Sequence, residues 1–319
     1  MSEEQAEKLV KIGITQLIKF ADTFAGIEVH LLLSGKYLKL NYSDDQFVEI
    51  LRKLQQKDVQ EVYIKQTDCK ILIEHAQAAL SSKNFFNPST VVEKKMETAE
   101  NSVQVVKQVI KELGVTPETV QLIKTANDRA MSIMHEAPTL YVFLQRFKKS
   151  CSEEFLQSML TSFVCTMMIE QFPWKSDQVK EKAAMASLLC DMLLDKKDFE
   201  LIREWEKSGY VNELPDRIKR HPTETADKLR PKRLIASETI TIIEQHHELP
   251  NGKGFPMGPN APKFNQLAAI FIIAQNFIEQ LFIHDFDFEK RFEIIANLRL
   301  KYDARSFDKS LDALSTVLK

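Results

Sequence analysis

The segment His246-His247-Glu248-Leu249-Pro250-Asn251-Gly252-Lys253-Gly254-Phe255-Pro256 decides how the C-terminal half of this chain is interpreted. Two adjacent histidines end an apolar segment that is typical of a helix, and a loop with two glycines and a proline follows at once. A buried imidazole needs a hydrogen-bond partner or a metal ion for its ring nitrogens. The chain has only eight glycines, so two of them directly after a histidine pair indicate a shaped site.

The composition limits the classes of protein to which the chain can belong. Its 319 residues predict two domains, and 44% hydrophobic with 28% charged residues are ordinary globular values. A net charge of -2 argues against a nucleic-acid partner. No apolar run reaches the roughly 18 residues of a membrane span, and the acidic N-terminus is unlike a signal peptide. The cysteines lack CxxC spacing and are typical of reduced thiols, so we predict a cytoplasmic protein.

Residues 1–80 predict a small α+β domain. Ser34-Gly35 separates two runs that favour strands, as in a hairpin. Ser43-Asp44-Asp45 offers the N-cap of a helix, and a further strand is expected after that helix. The predicted segments are strands over 28–33, 36–40 and 59–65 and a helix over 47–54.

The remainder of the chain predicts helices almost throughout. We expect a helical linker over residues 81–135, with a long helix from about Val91, and a helical domain over 136–319. Apolar residues recur at spacings of three and four residues, the period of an amphipathic helix. Within the last domain, helices are expected over 153–172, 177–194, 237–247 and 264–282. The fold class is therefore mainly α, with a small α+β domain in front.

Two further features precede the histidine pair. Asp191 stands in the apolar segment 184–192, where a carboxylate needs compensation, and a metal ion is one way to supply it. His221 precedes Pro222, which we expect to start a helix with the histidine at its mouth.

In this order, the segments resemble the HD-GYP domain, a branch of the HD phosphohydrolases that hydrolyse the bacterial second messenger cyclic di-GMP at a multinuclear metal centre. The resemblance rests on the H-P pair at 221–222 and on H-H-E-x-x-x-G-x-G-x-P at 246–256, and it extends over residues 140–315. Residues 10–65 resemble, more loosely, the small domain that often precedes HD-GYP domains. The resemblance implies an HD-type helical bundle in the C-terminal domain.

The resemblance also implies a set of metal ligands, part of which this chain has kept. The retained positions are Asp191, His221, His246 and His247. The loop that corresponds to G-Y-P comprises Gly252, Gly254, Phe255 and Pro256, with phenylalanine in place of the tyrosine. Four family positions have changed: the first histidine falls on Gln157, the histidine of the His-Asp pair on Cys190, the following lysine on Leu194 and the last aspartate on Gln275.

These departures imply that most of one metal position is lost while most of the other remains. Three imidazoles and a carboxylate suit a single Fe, Mn, Zn or Ni ion, or the site holds none. We therefore expect a degenerate HD-GYP protein whose hydrolytic activity is impaired. It would act as a regulatory, nucleotide-sensing or partner-binding module for cyclic di-GMP or a related nucleotide, or for a GGDEF-type diguanylate cyclase. The exposed glycine loop is a candidate partner surface.

Two other interpretations stay open. The chain could be an active metal-dependent phosphodiesterase with an altered metal centre, since four ligands remain. It could also be a structural helical protein whose N-terminal domain carries the function. Each retained residue also has an ordinary structural explanation: a histidine can cap a helix C-terminus, and Asp191 can pair with Lys196 or Lys197.

Overall fold

The computed structural model describes residues 8–20, 27–136, 140–260 and 263–318. The chain divides into two compact units, Met1–Arg129 and Ala130–Lys319. The segment predicted as a linker falls almost entirely in the first unit, and the three-part division of the chain stays a prediction.

The first unit is a small antiparallel sheet followed by helices. Four strands form the sheet in the order β1-β4-β2-β3. Its elements are β1 (Leu9–Gly13), α1 (Ile14–Phe20), β2 (Val29–Leu33), β3 (Lys36–Lys39), α2 (Phe47–Gln55), β4 (Glu61–Lys65), α3 (Asp68–Ser81), α4 (Lys83–Phe86), α5 (Val92–Leu113) and α6 (Pro117–Glu136), the last of which runs across the boundary between the units.

The predicted hairpin, helix and strand of this unit are present, and the fold class is confirmed. The hairpin joins β2 and β3 through Ser34 and Gly35, which both have positive φ, as a two-residue turn between twisted strands requires. Strand β1 was not predicted. It pairs antiparallel with β4, and alternate residues of both strands are buried, because successive side chains point to opposite faces of a sheet.

The second unit is helical in all of its described regular elements beyond short turns. Its helices are the end of α6 and then α7 (Leu140–Phe147), α8 (Glu153–Ile169), α9 (Asp177–Leu189), α10 (Lys196–Lys207), α11 (Asp216–Leu229), α12 (Ser237–Gln245), α13 (Gln266–Ile283), α14 (Arg291–Lys301) and α15 (Arg305–Val317).

Helix α13 is the central helix of this unit. It packs against α8, α12, α14 and α15, and twelve of its eighteen residues are buried. Asn265 caps its start by accepting a hydrogen bond from the Ala268 amide. By length and composition α13 is also the one described helix that could cross a membrane, but 72% of that segment is buried inside the unit. Packing in a protein core therefore accounts for its apolar character.

Candidate metal centre

Asp191 lies just beyond the C-terminal end of α9. The sequence placed it on a helix over 177–194, but the helix ends at Leu189 and a turn follows. The Cys190 amide still donates to the Ala186 carbonyl, and the Leu194 amide donates to the Asp191 carbonyl. Asp191 therefore lies in a turn, two residues after the last residue of the helix. The prediction that it stands on a helix was wrong.

His221 lies inside α11, and this corrects the prediction that Pro222 starts a helix. Helix α11 begins at Asp216, and Pro222 is within it. Proline has no N–H, so the Ile218 carbonyl four residues earlier loses its helical donor. The Nδ1 atom of His221 lies 2.7 Å from that carbonyl oxygen. The proline therefore frees an acceptor that fixes the orientation of the preceding histidine.

His246 and His247 follow directly on α12, which ends at Gln245. The last carbonyls of a helix lack donors from a following turn. The Nδ1 atom of His246 lies 2.7 Å from the Ile243 carbonyl oxygen, in the same arrangement as His221 and Ile218. Both rings thus present Nε2 away from the backbone.

The structure brings the four predicted residues together. Their ligand atoms all lie within 4.8 Å of one another. The Nε2 atoms of His221 and His246 are 3.2 Å apart, and each lies 3.2 Å from Asp191 Oδ1. His247 Nε2 lies 3.8 Å from the same oxygen. Three of the side chains are largely buried, and Asp191 keeps 18% of its side-chain surface exposed.

The hydrogen-bond chemistry of the cluster fits a cation. A carbonyl only accepts, so Nδ1 of His221 and of His246 carries the proton, and Nε2 of each neutral ring carries a lone pair. Two such lone pairs then face each other and the Asp191 carboxylate. His247 Nε2 is buried and has no hydrogen-bond partner among the described residues. A metal ion held by the cluster would satisfy every one of these atoms, and tetrahedral ligands about 2.1 Å from a zinc-like ion lie about 3.4 Å apart.

The protonation states of the clustered residues also favour a metal ion. Burial lowers the pKa of His221, and burial together with His246 lowers that of His247 to about 3. Burial opposes ionisation of Asp191, but the three histidines around its carboxylate outweigh this and hold its pKa well below the ordinary value. The stable forms are neutral imidazoles and an ionised carboxylate, which are the forms that bind metals.

The glycine loop closes over His247. The Phe255 ring stacks on the His247 ring with centroids 4.5 Å apart and an interplanar angle of 28°, and Phe255 is buried. Its amide donates to the His247 carbonyl at 3.2 Å. A Cβ atom at Gly254 would lie 2.4 Å from the Leu249 nitrogen and 2.5 Å from the His247 oxygen. Position 254 therefore admits only glycine if the loop is to reach the histidines.

Glu248 fixes the far end of the same loop. Its carboxylate is fully buried and accepts hydrogen bonds from the Met257 amide at 2.5 Å and the Gly258 amide at 3.1 Å. Burial raises the pKa of Glu248, and these two amides oppose the shift. The sequence shows the glutamate next to the histidines but gives no sign of this role, because its partners follow nine and ten residues later.

Two of the four changed positions contact Asp191. The Cys190 Sγ atom lies 3.3 Å from Asp191 Oδ2, on the carboxylate oxygen that does not meet the histidines. The Leu194 amide donates to the Asp191 carbonyl at 3.0 Å. Gln157 donates to Glu153 on its own helix at 3.2 Å. Gln275 is buried on α13, and its Oε1 atom has no hydrogen-bond partner among the described residues.

A second polar cluster was missed by the sequence analysis. The Lys301 ammonium lies 3.0 Å from Glu206 Oε1 and 2.7 Å from Asn276 Oδ1. Burial, and then the charge of Glu206, raises the pKa of Glu279 to about 8, and Asp191 contributes to this shift. Helices α10, α13 and α14 supply these residues from distant parts of the chain. In the sequence, the only sign of this cluster is Glu279, a single glutamate in the apolar segment of α13.

The second unit is thus a helical domain that holds one aspartate and three histidines in a cluster. No family model matches the sequence, and no curated protein matches it. Among solved structures the chain is similar to Bd1817, a HDG"Y"P protein from Bdellovibrio bacteriovorus, with 15% sequence identity and a TM-score of 0.54. The match covers 98% of this chain and 99% of that one. The resemblance to HD-GYP proteins is therefore confirmed at the level of the fold.

Proposed function

We propose that this chain is an HD-GYP-type protein of cyclic di-GMP signalling with impaired hydrolytic activity. It acts as a regulatory, nucleotide-sensing or partner-binding module. One observation carries the proposal. In an HD-GYP fold, the chain keeps a converging cluster of Asp191 with three histidines, while the family's other ligand positions fall on Gln157, Cys190 and Gln275.

The retained cluster holds one divalent Fe, Mn, Zn or Ni ion. Three imidazole nitrogens with a carboxylate oxygen suit these metals. When bound, such an ion supplies positive charge that attracts phosphate oxygens. The chain contributes the orientation of the ligands, through the carbonyls of Ile218 and Ile243, and such partners tune metal affinity.

The changed positions support loss of hydrolysis. Two-metal phosphodiesterases use both ions to activate water and to stabilise developing charge. At the changed ligand positions the chain offers the Cys190 thiol, which lies 3.3 Å from Asp191 Oδ2, and the neutral amides of Gln157 and Gln275 instead of imidazole and carboxylate. Leu194 offers no cationic contact for a phosphate. Because the groups of such a site act as a unit, these losses compound.

Metal analysis of protein purified without a histidine tag tests the site. We expect about one transition-metal ion per chain, and His246→Ala should reduce this to a small fraction because it removes the central ligand. The matched control is His284→Ala, a histidine of α13's C-cap outside the cluster. Full metal content in His246→Ala would contradict the proposed site.

An activity assay tests the impairment. Protein loaded with Mn or Fe is incubated with cyclic di-GMP, and we expect no multiple turnover. Binding of the same nucleotide is measured in parallel, since a sensor binds without cleaving. Clear multiple turnover would refute the regulatory proposal.

An active phosphodiesterase with an altered metal centre is the second candidate. The intact cluster of four residues favours it, since a decayed site has no reason to keep three Nε2 atoms converging on one oxygen. This candidate requires bound metal, turnover, and loss of turnover in His246→Ala. Metal-free protein of unchanged stability would count against it.

We propose a GGDEF-type diguanylate cyclase as the partner, and we propose that both proteins are cytoplasmic. The glycine loop offers such a partner less surface than its sequence indicated, because Phe255 is buried against His247. The exposed side chains of the loop are those of Asn251, Lys253 and Met257. If the loop is the docking surface, Lys253→Glu should weaken binding of the cyclase in a titration without changing the metal content.

A further inference from the structure

A cavity of about 590 Å³ lies in the helical unit. Residues of α10, α13, α14 and the loop after α12 line it, and the four residues of the metal cluster are not among them. A volume of this size suits a small organic ligand. The chemistry of the lining identifies the kind of ligand.

Tyr210 provides a rigid aromatic wall. It follows α10 and has a φ of 70°, a conformation that a tyrosine adopts only when its surroundings hold it there. Its amide donates to the Trp205 carbonyl at 3.0 Å, and its ring meets the Trp205 ring edge-on at 4.8 Å. Lys301 Nζ lies 5.6 Å from its ring centroid. These contacts hold a half-buried aromatic ring at the wall of the cavity, and nucleobases stack on rings of this kind.

Amide side chains supply the polar part of the lining. Gln280 and Asn297 line the cavity together with Asn251, and the first two make no side-chain hydrogen bond to any described residue. An amide places a donor and an acceptor in one plane, which matches the edge of a nucleobase.

One basic side chain of the cavity is available for an anion. Arg203 pairs with Glu153, and Lys301 pairs with Glu206. Lys207 also lines the cavity, is exposed, and has no acidic partner among the described residues. Its ammonium can therefore meet a phosphate as a point charge.

We propose that this cavity binds a purine nucleoside monophosphate. The base stacks on Tyr210, Gln280 and Asn297 contact the edge of the base, and Lys207 contacts the phosphate. This inference goes beyond the proposed function, because it requires neither a metal ion nor a cyclic dinucleotide.

Trp205 is the reporter for the test. The chain has two tryptophans, and Trp174 is 39% exposed whereas Trp205 is buried against Tyr210. In a full-length Trp174→Phe protein, GMP and AMP are titrated while Trp205 fluorescence is followed, with inorganic phosphate as the control. We expect saturable binding of at least one mononucleotide, and no saturation by phosphate at the same concentrations.

Variants in the Trp174→Phe background locate the binding. Tyr210→Gly removes the ring at a position where glycine suits the backbone, and we expect the Kd to rise at least fivefold, the low end of one base–aromatic stack. Tyr210→Phe keeps the ring and should bind within about twofold of the parent protein, because stacking on a ring face does not need the hydroxyl. Asn297→Ala should weaken binding with no change in the circular dichroism spectrum.

The outcomes also separate this site from the metal centre. Mononucleotide binding that persists in His246→Ala supports the cavity, even if the proposed function fails. Absence of saturation by GMP and AMP overturns the inference, as does unchanged affinity in a folded Tyr210→Gly or Asn297→Ala. Cyclic di-GMP binding that is lost in His246→Ala, without mononucleotide binding, overturns it too and leaves the proposed function standing.

Discussion

At the scale of single residues, the lack of a side chain at one position of the glycine loop matters to the site as much as the histidine side chains do. Gly254 has no Cβ, and the loop backbone passes through the space that a Cβ would fill. The Phe255 ring reaches His247 only because of this close approach. Glycine at this position is thus a packing requirement set by the histidines.

Gly254→Ala should destabilise the helical unit by roughly 3 kcal/mol, because its methyl group would meet fixed backbone atoms. Gly209→Ala is the matched control. Gly209 has a φ of 70° with nothing within 4 Å of the added Cβ, so its cost should be about 1 kcal/mol, from backbone strain alone. Urea unfolding measures both, and equal losses would show that the loop can move aside.

Glu279 predicts a pH dependence of stability. Its pKa is raised to about 8 in the folded protein from an ordinary value near 4.5, so the folded state binds its proton more tightly. Stability therefore falls as pH rises from about 4.5 to about 8. Glu279→Gln cannot ionise, and at pH 8.5 it should be more stable than the parent by roughly 1–3 kcal/mol.

Urea unfolding between pH 6.5 and 9 checks this prediction. The lower limit avoids His247, whose depressed pKa makes metal-free protein lose stability as pH falls from 6.5 towards 3. Glu200→Gln, an exposed position on α10, is the control and should follow the parent. A pH profile of Glu279→Gln parallel to that of the parent would contradict the prediction.

At the scale of helices, α11 lacks one backbone hydrogen bond, and a histidine side chain makes a hydrogen bond to the carbonyl that is left free. Pro222 removes the donor that Ile218 would otherwise have, and His221 Nδ1 takes its place. The end of α12 does the same for His246 without a proline. Both elements thus turn unsatisfied helix carbonyls into partners for metal ligands.

Pro222→Ala should therefore change stability and metal affinity in opposite directions. The new N–H competes with His221 for the Ile218 carbonyl, so metal affinity should fall roughly tenfold. Removal of a proline from a helix interior should raise the stability of the metal-free protein by up to about 3 kcal/mol. Competition with a chelator and urea unfolding measure the two effects, with Thr223→Ala as the control. Unchanged metal affinity would show that the ring orientation does not depend on this hydrogen bond.

At the scale of the whole molecule, the cluster ties α9, α11 and α12 to one point. The ligands come from positions 191, 221, 246 and 247, and no pair except the last is adjacent in sequence. A bound ion therefore links three segments of the helical unit, and binding to the folded state alone stabilises that state.

Metal should raise the melting temperature of the helical unit. At a free concentration 100 times the Kd, binding adds about 2.7 kcal/mol of stability. Calorimetry with added Mn or Zn and then with a chelator measures the shift. His246→Ala should show none of it, and an equal shift in that variant would place the metal elsewhere.

The sequence alone determined much of this protein. Helical periodicity, the hairpin at Ser34-Gly35 and the motif at 246–256 predicted the mainly helical fold with its small α+β domain, because these signals are local. The resemblance to HD-GYP domains also indicated all four residues that converge. The spacing of these residues in the chain did not give the distances between their ligand atoms, because local patterns carry no information on contacts between distant segments.

Only the tertiary structure decided where those residues stand. It placed Asp191 beyond its helix and His221 within one, and it showed Glu248 as the fixed end of the glycine loop. It also assembled the cavity beside Tyr210 from three helices and a loop. Long-range packing sets these arrangements, since contacts between segments far apart in the chain leave no periodic trace in either segment.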